Sequence, residues 1–407
     1  MTKSSVAIIG AGAAGLMAAE VLSAYDIDIH VFDQKPTAAR KILMAGKTGL
    51  NISHNEPMAD FVTRYTPSDW LMPYVQAFGA DGIRAWMASL GIDSYVGSTG
   101  RIFPVEMKAS KLVRAWLNRL HDHQVKFHYR HRCITMDNRV LGFEILDNKG
   151  NIIDKFSQAF DAVILACGGG SYAYLGSDGA WQRWLGADEL TPLYASNVGV
   201  LRAWSPFMTP LYGQAIKRVR AWVGDDISHQ GDIVISHYGL ESGLIYKLNL
   251  AMRQAMDEHQ TFTLYLDLLP DKSADFIYNN LTKNKKQSLN TLLKKLGLDA
   301  VKIALLRECT NKTDWSDLTI MAKHIKSLAI ECTGFRPMDE AISTGGGIKR
   351  MAVDDDLQLR AHAGVFCCGE MLDWDAPTGG YLLTACFATG RAAAIGVVRH
   401  LNALQNN

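Results

Sequence analysis

The sequence predicts an α/β protein in which a doubly wound, largely parallel sheet is built from both ends of the chain around an inserted β-rich and helical segment. Three observations lead there. A β-branched run, Val6 to Ile9, passes directly into Gly10, Gly12 and Gly15 and an alanine-rich apolar stretch, Ala13 to Ala24. Two later apolar runs, "DAVILACGGGSY" (161–172) and "AGVFCCGE" (363–370), also end in glycine. Between them, from about Leu190 to Pro270, short alternating segments such as "GDIVIS" and "TFTLYLDLLP" carry the period of half-buried strands.

The first run decides the most. Gly10 permits a tight turn, Gly12 lets backbone approach a pyrophosphate, and Gly15 lets the helix pack closely on its strand, so the helix N-terminus faces the phosphates. Lys3 and the alanines imitate a signal peptide, but that segment has no use for glycines at this spacing. The next strand, "IDIHVFD", ends in Asp33, close to the offset of about 20 residues at which a carboxylate accepts from ribose hydroxyls. Together these predict a dinucleotide site rather than a glycine-lined packing turn.

At 407 residues the chain is expected to hold more than one domain. Its 42 Lys and Arg balance 41 Asp and Glu, which disfavours nucleic acid or an anionic membrane as a partner. Seven scattered cysteines with no C-x-x-C pair argue against a disulfide framework, a zinc finger or a thioredoxin-type couple, and fit a reducing cytoplasm. No run of about 18 uninterrupted apolar residues occurs, so no membrane span is expected.

Residues 111–123 read as a helix, and "VKFHY", "RCITMD" and "GFEILDN" as short strands. "DAVILACGGGSY" reads as a later strand of the first sheet returning to the cofactor, since ligands in such sheets sit at the carboxyl ends of strands. The predicted organisation is 1–190 and 336–407 for the cofactor domain, 191–270 for a β-rich substrate domain and 271–335 for a helical subdomain. The lysines of "NNLTKNKKQSLNTLLKKLGL" read as the solvated face of a helix. The glycines of "DAPTGGYLL" precede a helix rich in small residues, a second helix N-terminus aimed at the cofactor.

Taken in order, "VAIIGAGAAGL", "GRIFP", "ACGGGSY", "GSDG", "SHYGLESG", "DLLPD", "TGGGI" and "GEMLDWDAPTGGYLL" resemble the two-dinucleotide-fold flavoproteins, in the branch that includes aminoacetone oxidase and the BaiN-type bile-acid-reducing enzymes. The resemblance runs over almost the whole chain. It implies a Rossmann-like FAD domain of the glutathione-reductase type, with FAD extended across it. Gly10, Gly12, Ala13, Ala14 and Gly15 would then hold the pyrophosphate and Asp33 the adenosine ribose. Arg40 and Lys41 would be the basic pair beside FAD, and the backbone near Cys133 would touch adenine. Ala166, Gly168 and Gly169 would form a glycine-bearing strand end, Gly369 and Glu370 the element reaching the ribityl chain, and Gly379, Gly380 and Tyr381 the helix start at the flavin. Two departures stand out. The family's glycine-arginine-cysteine-asparagine run reads "AGKTGLNISHN" here, keeping Asn51, and the asparagine after the tyrosine is Leu382.

For catalysis the candidates are Arg101, to fix a carboxylate, His237, as acid or base, and Tyr381 at the flavin edge; each also has a structural reading as a salt bridge, a hydrogen-bonded histidine or core packing. His121, His123, His128 and His131 crowd one stretch, but a helix end running into a strand points them apart, and no metal is expected. Cys367 and Cys368 read as packing residues, and Trp374 as a stacking partner or a loop anchor. A single complete G-x-G-x-x-G weakens a separate NAD(P)H domain while leaving NAD(P)H a transient electron donor. The sequence leaves three readings open: an FAD enzyme fed by NAD(P)H that reduces a small organic molecule, an amine oxidase reoxidised by oxygen, and a non-catalytic or RNA-associated flavoprotein. It says nothing of oligomeric state.

Overall fold

Five strands, β1 (Ser4–Ile9), β2 (Ile27–Asp33), β3 (Lys126–Tyr129), β4 (Ala162–Leu165) and β5 (Val365–Cys367), form a parallel sheet in the order β5-β4-β1-β2-β3 in the computed structural model of the chain. The structure describes residues 3–47, 49–225, 227–283 and 287–405. The run Val6–Ile8 is central because it is apolar on both faces, and the three residues have no exposed surface. Helix α1 (Ala13–Leu22) follows β1, and α2 (Arg40–Ala45) follows β2. The last helix, α3 (Tyr381–Gln405), crosses α1 so closely that a Cβ at Gly390 would overlap the carbonyl of Ala14. By length and hydropathy α3 could cross a membrane, but 61% of its apolar stretch is buried within this protein, the signature of a core helix.

Contacts divide the chain into two units, 1–195 with 342–407, and 196–341. The first also carries an antiparallel meander (His131–Asp137, Val140–Leu146, Ile152–Ala159) and a small sheet in which Arg101–Pro104 lies between Ser53–His54 and Ser94–Val96. The helix read at 111–123 spans Ala109–Asp122 and buries Leu112, Val113, Trp116 and Leu120.

The second unit is organised on a seven-stranded antiparallel sheet. From one edge its strands are Leu328–Cys332, Phe262–Asp267, Ala215–Val223, His229–Ser236, Gly239–Glu241, Val200–Leu201 and Gly334–Phe335. This corrects the expected division at 270. The strand Leu328–Cys332, beyond the helices, returns to pair with Phe262–Asp267, so helices and strands share one apolar core. The lysine-rich stretch, 279–298, takes in the end of one helix, Ala274–Thr282, and the whole of a second, Leu289–Leu296. Ser288 opens the second, its hydroxyl accepting from the Thr291 amide at 3.3 Å. Lys285 and Lys286 of that stretch lie outside the described residues.

Candidate cofactor and active site

The turn from β1 into α1 is set by backbone. Gly10 has φ +110°, and its amide donates to the Phe32 carbonyl at 2.8 Å. A Cβ there would overlap the Ala166 carbonyl at the end of β4, and one at Gly15 would overlap the Gly10 carbonyl. At Gly12, the residue capping α1, no heavy atom stands within 4 Å of where a Cβ would be. Gly10 and Gly15 are thus filled from within the fold, whereas Gly12 opens onto a cavity.

That cavity, about 580 Å³, runs past the carboxyl ends of β1, β2, β4 and β5. Gly10, Gly12, Ala13, Ala14, Asp33, Arg40, Lys41, Cys133, Ala166, Gly168, Gly369, Glu370 and Leu382 all line it. Asp33 accepts from the amides of Ala11 at 2.9 Å and Lys35 at 2.8 Å. Burial nonetheless raises its pKa above the usual carboxylate value, against the pull of those two amides. Lys41 donates to Glu370 at 2.8 Å and Ser171 at 3.0 Å, and Glu370 also accepts from the Thr344 amide at 2.9 Å. This knot ties α2, the glycines after β4 and the turn after β5 to one another.

The remaining residues expected at the cofactor do not line the cavity. Gly15 is a packing glycine, as is Gly169, where a Cβ would stand 2.5 Å from the Thr344 side chain. Gly380, at φ +96°, sits on the backbone of Ser53, and Gly379, at φ +136°, lies against the Tyr381 ring. The Asn51 amide oxygen is buried with no hydrogen-bond partner among the described residues.

Tyr381 differs most from expectation. Its hydroxyl donates to Glu56 at 2.7 Å, and its carbonyl accepts from the buried Tyr65 hydroxyl at 2.9 Å. Burial and the Glu56 carboxylate push its pKa up, and its hydroxyl is spent on the bond to Glu56. Glu56 in turn pairs with Arg64 at 2.7 Å; burial favours its protonated form, but the Arg64 and Tyr381 bonds outweigh that and hold it below the ordinary value. Arg101 is exposed on the small sheet, opposite His54. In the second unit, His237 is exposed at the two-residue turn between Ser236 and Gly239, its ring edge-on to Tyr238, whose hydroxyl bonds to Glu241.

Of the crowded histidines, His128 and His131 meet, their rings 5.5 Å apart, contrary to the expectation that the stretch points them apart, while His123 turns elsewhere. His128 sits 3.0 Å from His30 and stacks on Phe32 at 4.5 Å, His131 bonds the Tyr129 carbonyl, and His123 meets Ser23. Among the described residues no three His, Cys, Asp or Glu gather as metal ligands. Cys367 and Cys368 are fully buried, Cys368 lining the cavity. Trp374 both lines the cavity and anchors its loop, donating to the Gly369 carbonyl at 2.9 Å. Sequence reasoning missed His54, Glu56 and Arg64, together with Trp181 and Trp184 on the cavity wall; apart from the altered "LNISHN" run, no local pattern marks them.

An extended dinucleotide fits these residues. The cradle above Gly12 is open, the first-turn amides of α1 lack intrahelical partners by position, and the Arg40 Nε is buried without a partner at the cavity wall. Fold and site define the class as an FAD-dependent oxidoreductase of the Rossmann-like flavoproteins. Residues 4–396 match the HI0933-like protein Rossmann domain family, and the chain belongs to that family. It is 27% identical, over 96% of its length and 98% of the relative's, to 3-dehydro-bile acid delta(4,6)-reductase from Clostridium scindens. Its fold is similar to that of 3-ketosteroid delta1-dehydrogenase from Sterolibacterium denitrificans (TM-score 0.51, 12% identity, covering 98% of this chain and 100% of that one). A flavocytochrome c3 fumarate reductase in its open conformation is also similar (TM-score 0.50, 12% identity, 98% and 78% covered).

Proposed function

We propose that this protein uses NAD(P)H to reduce FAD and delivers the hydride to an electron-poor carbon–carbon double bond of a small organic substrate. The observation that carries the reading is the open cradle at Gly12, on the cavity wall, in a chain matching a 3-dehydro-bile acid delta(4,6)-reductase along almost its full length. With one G-x-G-x-x-G in the sequence, the pyridine nucleotide is taken as a transient visitor.

When bound, FAD relays a hydride from donor to acceptor. The chain's own residues bind and orient. Gly12, Ala13 and Ala14 present amides to the pyrophosphate, Asp33 takes the ribose hydroxyls, and Arg40 supplies an unspent donor at the wall. Arg101, exposed and cationic, is proposed to fix a substrate carboxylate, and His237 to move the proton that accompanies hydride transfer. Tyr381 is proposed as the anchor of the α3 start. Seven free thiols support a reducing compartment, the cytoplasm, and the balanced charge supports a small molecule rather than nucleic acid as partner.

The test is an anaerobic titration of the purified protein with NADPH and then NADH, following the visible flavin band. Bleaching is expected. Persistent colour would transfer the protein to substrate-reduced oxidases, with amines as donors to try first, and a preparation without flavin would overturn the reading.

A further inference from the structure

The surroundings of His54 fix the tautomer of its neutral ring and leave one ring nitrogen without a hydrogen-bond partner among the described residues. Its Nε2 lies 3.0 Å from the Thr99 carbonyl, an acceptor only, so Nε2 carries the hydrogen and Nδ1 of the neutral ring is a bare lone pair. That Nδ1 is buried without a hydrogen-bond partner among the described residues, 3.9 Å from the Glu56 carboxylate oxygen. Two acceptors facing each other out of water repel; a proton on Nδ1 turns the same contact into an ion pair.

The groups around the ring favour such a state and also resist it. Glu56 is held ionised by Arg64 and by the Tyr381 hydroxyl, and its oxygen is the nearest charge to Nδ1. The Tyr381 ring stacks on His54 at 5.4 Å, while Arg101 opposite and Arg64 behind Glu56 supply the opposing positive charge. An added negative charge nearby favours the protonated ring. Its link to the cavity runs through Tyr381, which stacks on His54 and opens α3, followed directly by Leu382 and Leu383 on the cavity wall.

We propose that His54 is a proton-binding site coupled to the cofactor, neutral with oxidised flavin and protonated at Nδ1 when two electrons enter the cavity. The inference rests on the reading that the cavity holds a reducible flavin. Two electrons come from the reductant, one proton is taken from solvent onto Nδ1, and no covalent bond to His54 forms.

The holoprotein is reduced with dithionite, which makes the test independent of NAD(P)H, and the flavin midpoint potential is followed against pH above neutrality. One extra proton per two electrons steepens the slope by about 30 mV per pH unit. The wild type is expected to exceed His54→Gln by that amount, and Glu56→Gln to behave like His54→Gln. Imidazole nitrogen NMR of the wild type should show His54 passing from the Nε2–H tautomer to the doubly protonated ring on reduction. Equal slopes in wild type and His54→Gln, or a His54 ring unchanged on reduction, would overturn the proposal while leaving the flavin assignment standing. A protein that dithionite reduces but NAD(P)H does not would retire the proposed electron donor without touching His54.

Discussion

The first unit builds its site largely from backbone, the second presents its candidate through side chains, and the contrast explains why they read so differently. In the first, the cradle is defined by where side chains are missing: Gly10 and Gly15 are occupied by neighbouring carbonyls, and Gly12 stands open. In the second, helices are secured by Ser273, Ser288, Asp299 and Asp317, whose side chains accept from first-turn amides, and the candidate residue His237 is an exposed hairpin tip. Caps of that kind hold any fold together and name no ligand. Missing side chains at fixed spacing name a pyrophosphate.

The largest effect should separate the glycines of the first unit. Gly15→Val drives a branched side chain into the Gly10 carbonyl and is expected to cost about 3 kcal/mol or more, seen as loss of folded protein in urea titrations. The Cβ of Gly12→Val has no heavy atom within 4 Å, so the variant should fold with an unchanged circular dichroism spectrum and yet bind flavin at least about tenfold more weakly. If both variants unfold alike, or Gly12→Val keeps its flavin, the division between packing and cradle glycines fails.

A smaller effect concerns the sheet beneath the site. Burial, with His30 and His131 nearby, lowers the His128 pKa to about 4 from 6.5. Such a ring binds its proton less readily folded than unfolded, so the stability it lends is complete above pH 6.5 and fades as pH falls from 6.5 towards 4. Allowing for its partial exposure, the loss should be about 1–2 kcal/mol. His128→Phe, which keeps the stack on Phe32, should remove that part of the pH dependence, measured as the difference between the two proteins at pH 6.5 and pH 5.

Tyr381→Phe should cost about 1–2 kcal/mol through the lost bond to Glu56. Flavin should stay bound; its release would mean that the tyrosine touches the cofactor after all. The smallest effect belongs to the second unit. His237→Ala at an exposed turn should change stability by less than about 0.5 kcal/mol and leave flavin content alone, while turnover falls. Unchanged turnover would remove His237 from the proposed mechanism.

Most of the first unit was legible in the sequence because its signals are local. A strand, a glycine spacing and a terminal acid lie within Val6 to Asp33, and β4 and β5 announce themselves as apolar runs ending in glycine. The network of His54, Glu56, Arg64 and Tyr381 was not legible, because its members come from a strand end, the loops on either side of the short helix Met58–Val62 and the start of α3, more than 300 residues apart along the chain at the widest. Tyr381 was singled out for its neighbouring glycines, and those glycines serve the fold by letting the chain run against Ser53. The division expected at 270 failed for a related reason. Periodicity reports how a segment folds, not which strand it will pair with, and the return of Leu328–Cys332 to Phe262–Asp267 is a pairing across the whole helical stretch.

Because the first unit is discontinuous, the order of synthesis matters. β1, β2 and β4 leave the ribosome early, but β5, Glu370 and α3 follow only after residues 196–341. At about 5–20 residues per second that interval lasts about 7–30 s. Throughout it, the edge of β4 that β5 will cover and the face of α1 that α3 will cover are bare in the nascent chain. Because Leu382, Leu383 and Cys386 of that helix form part of the cavity wall, the cradle is complete only when the last segment made has docked.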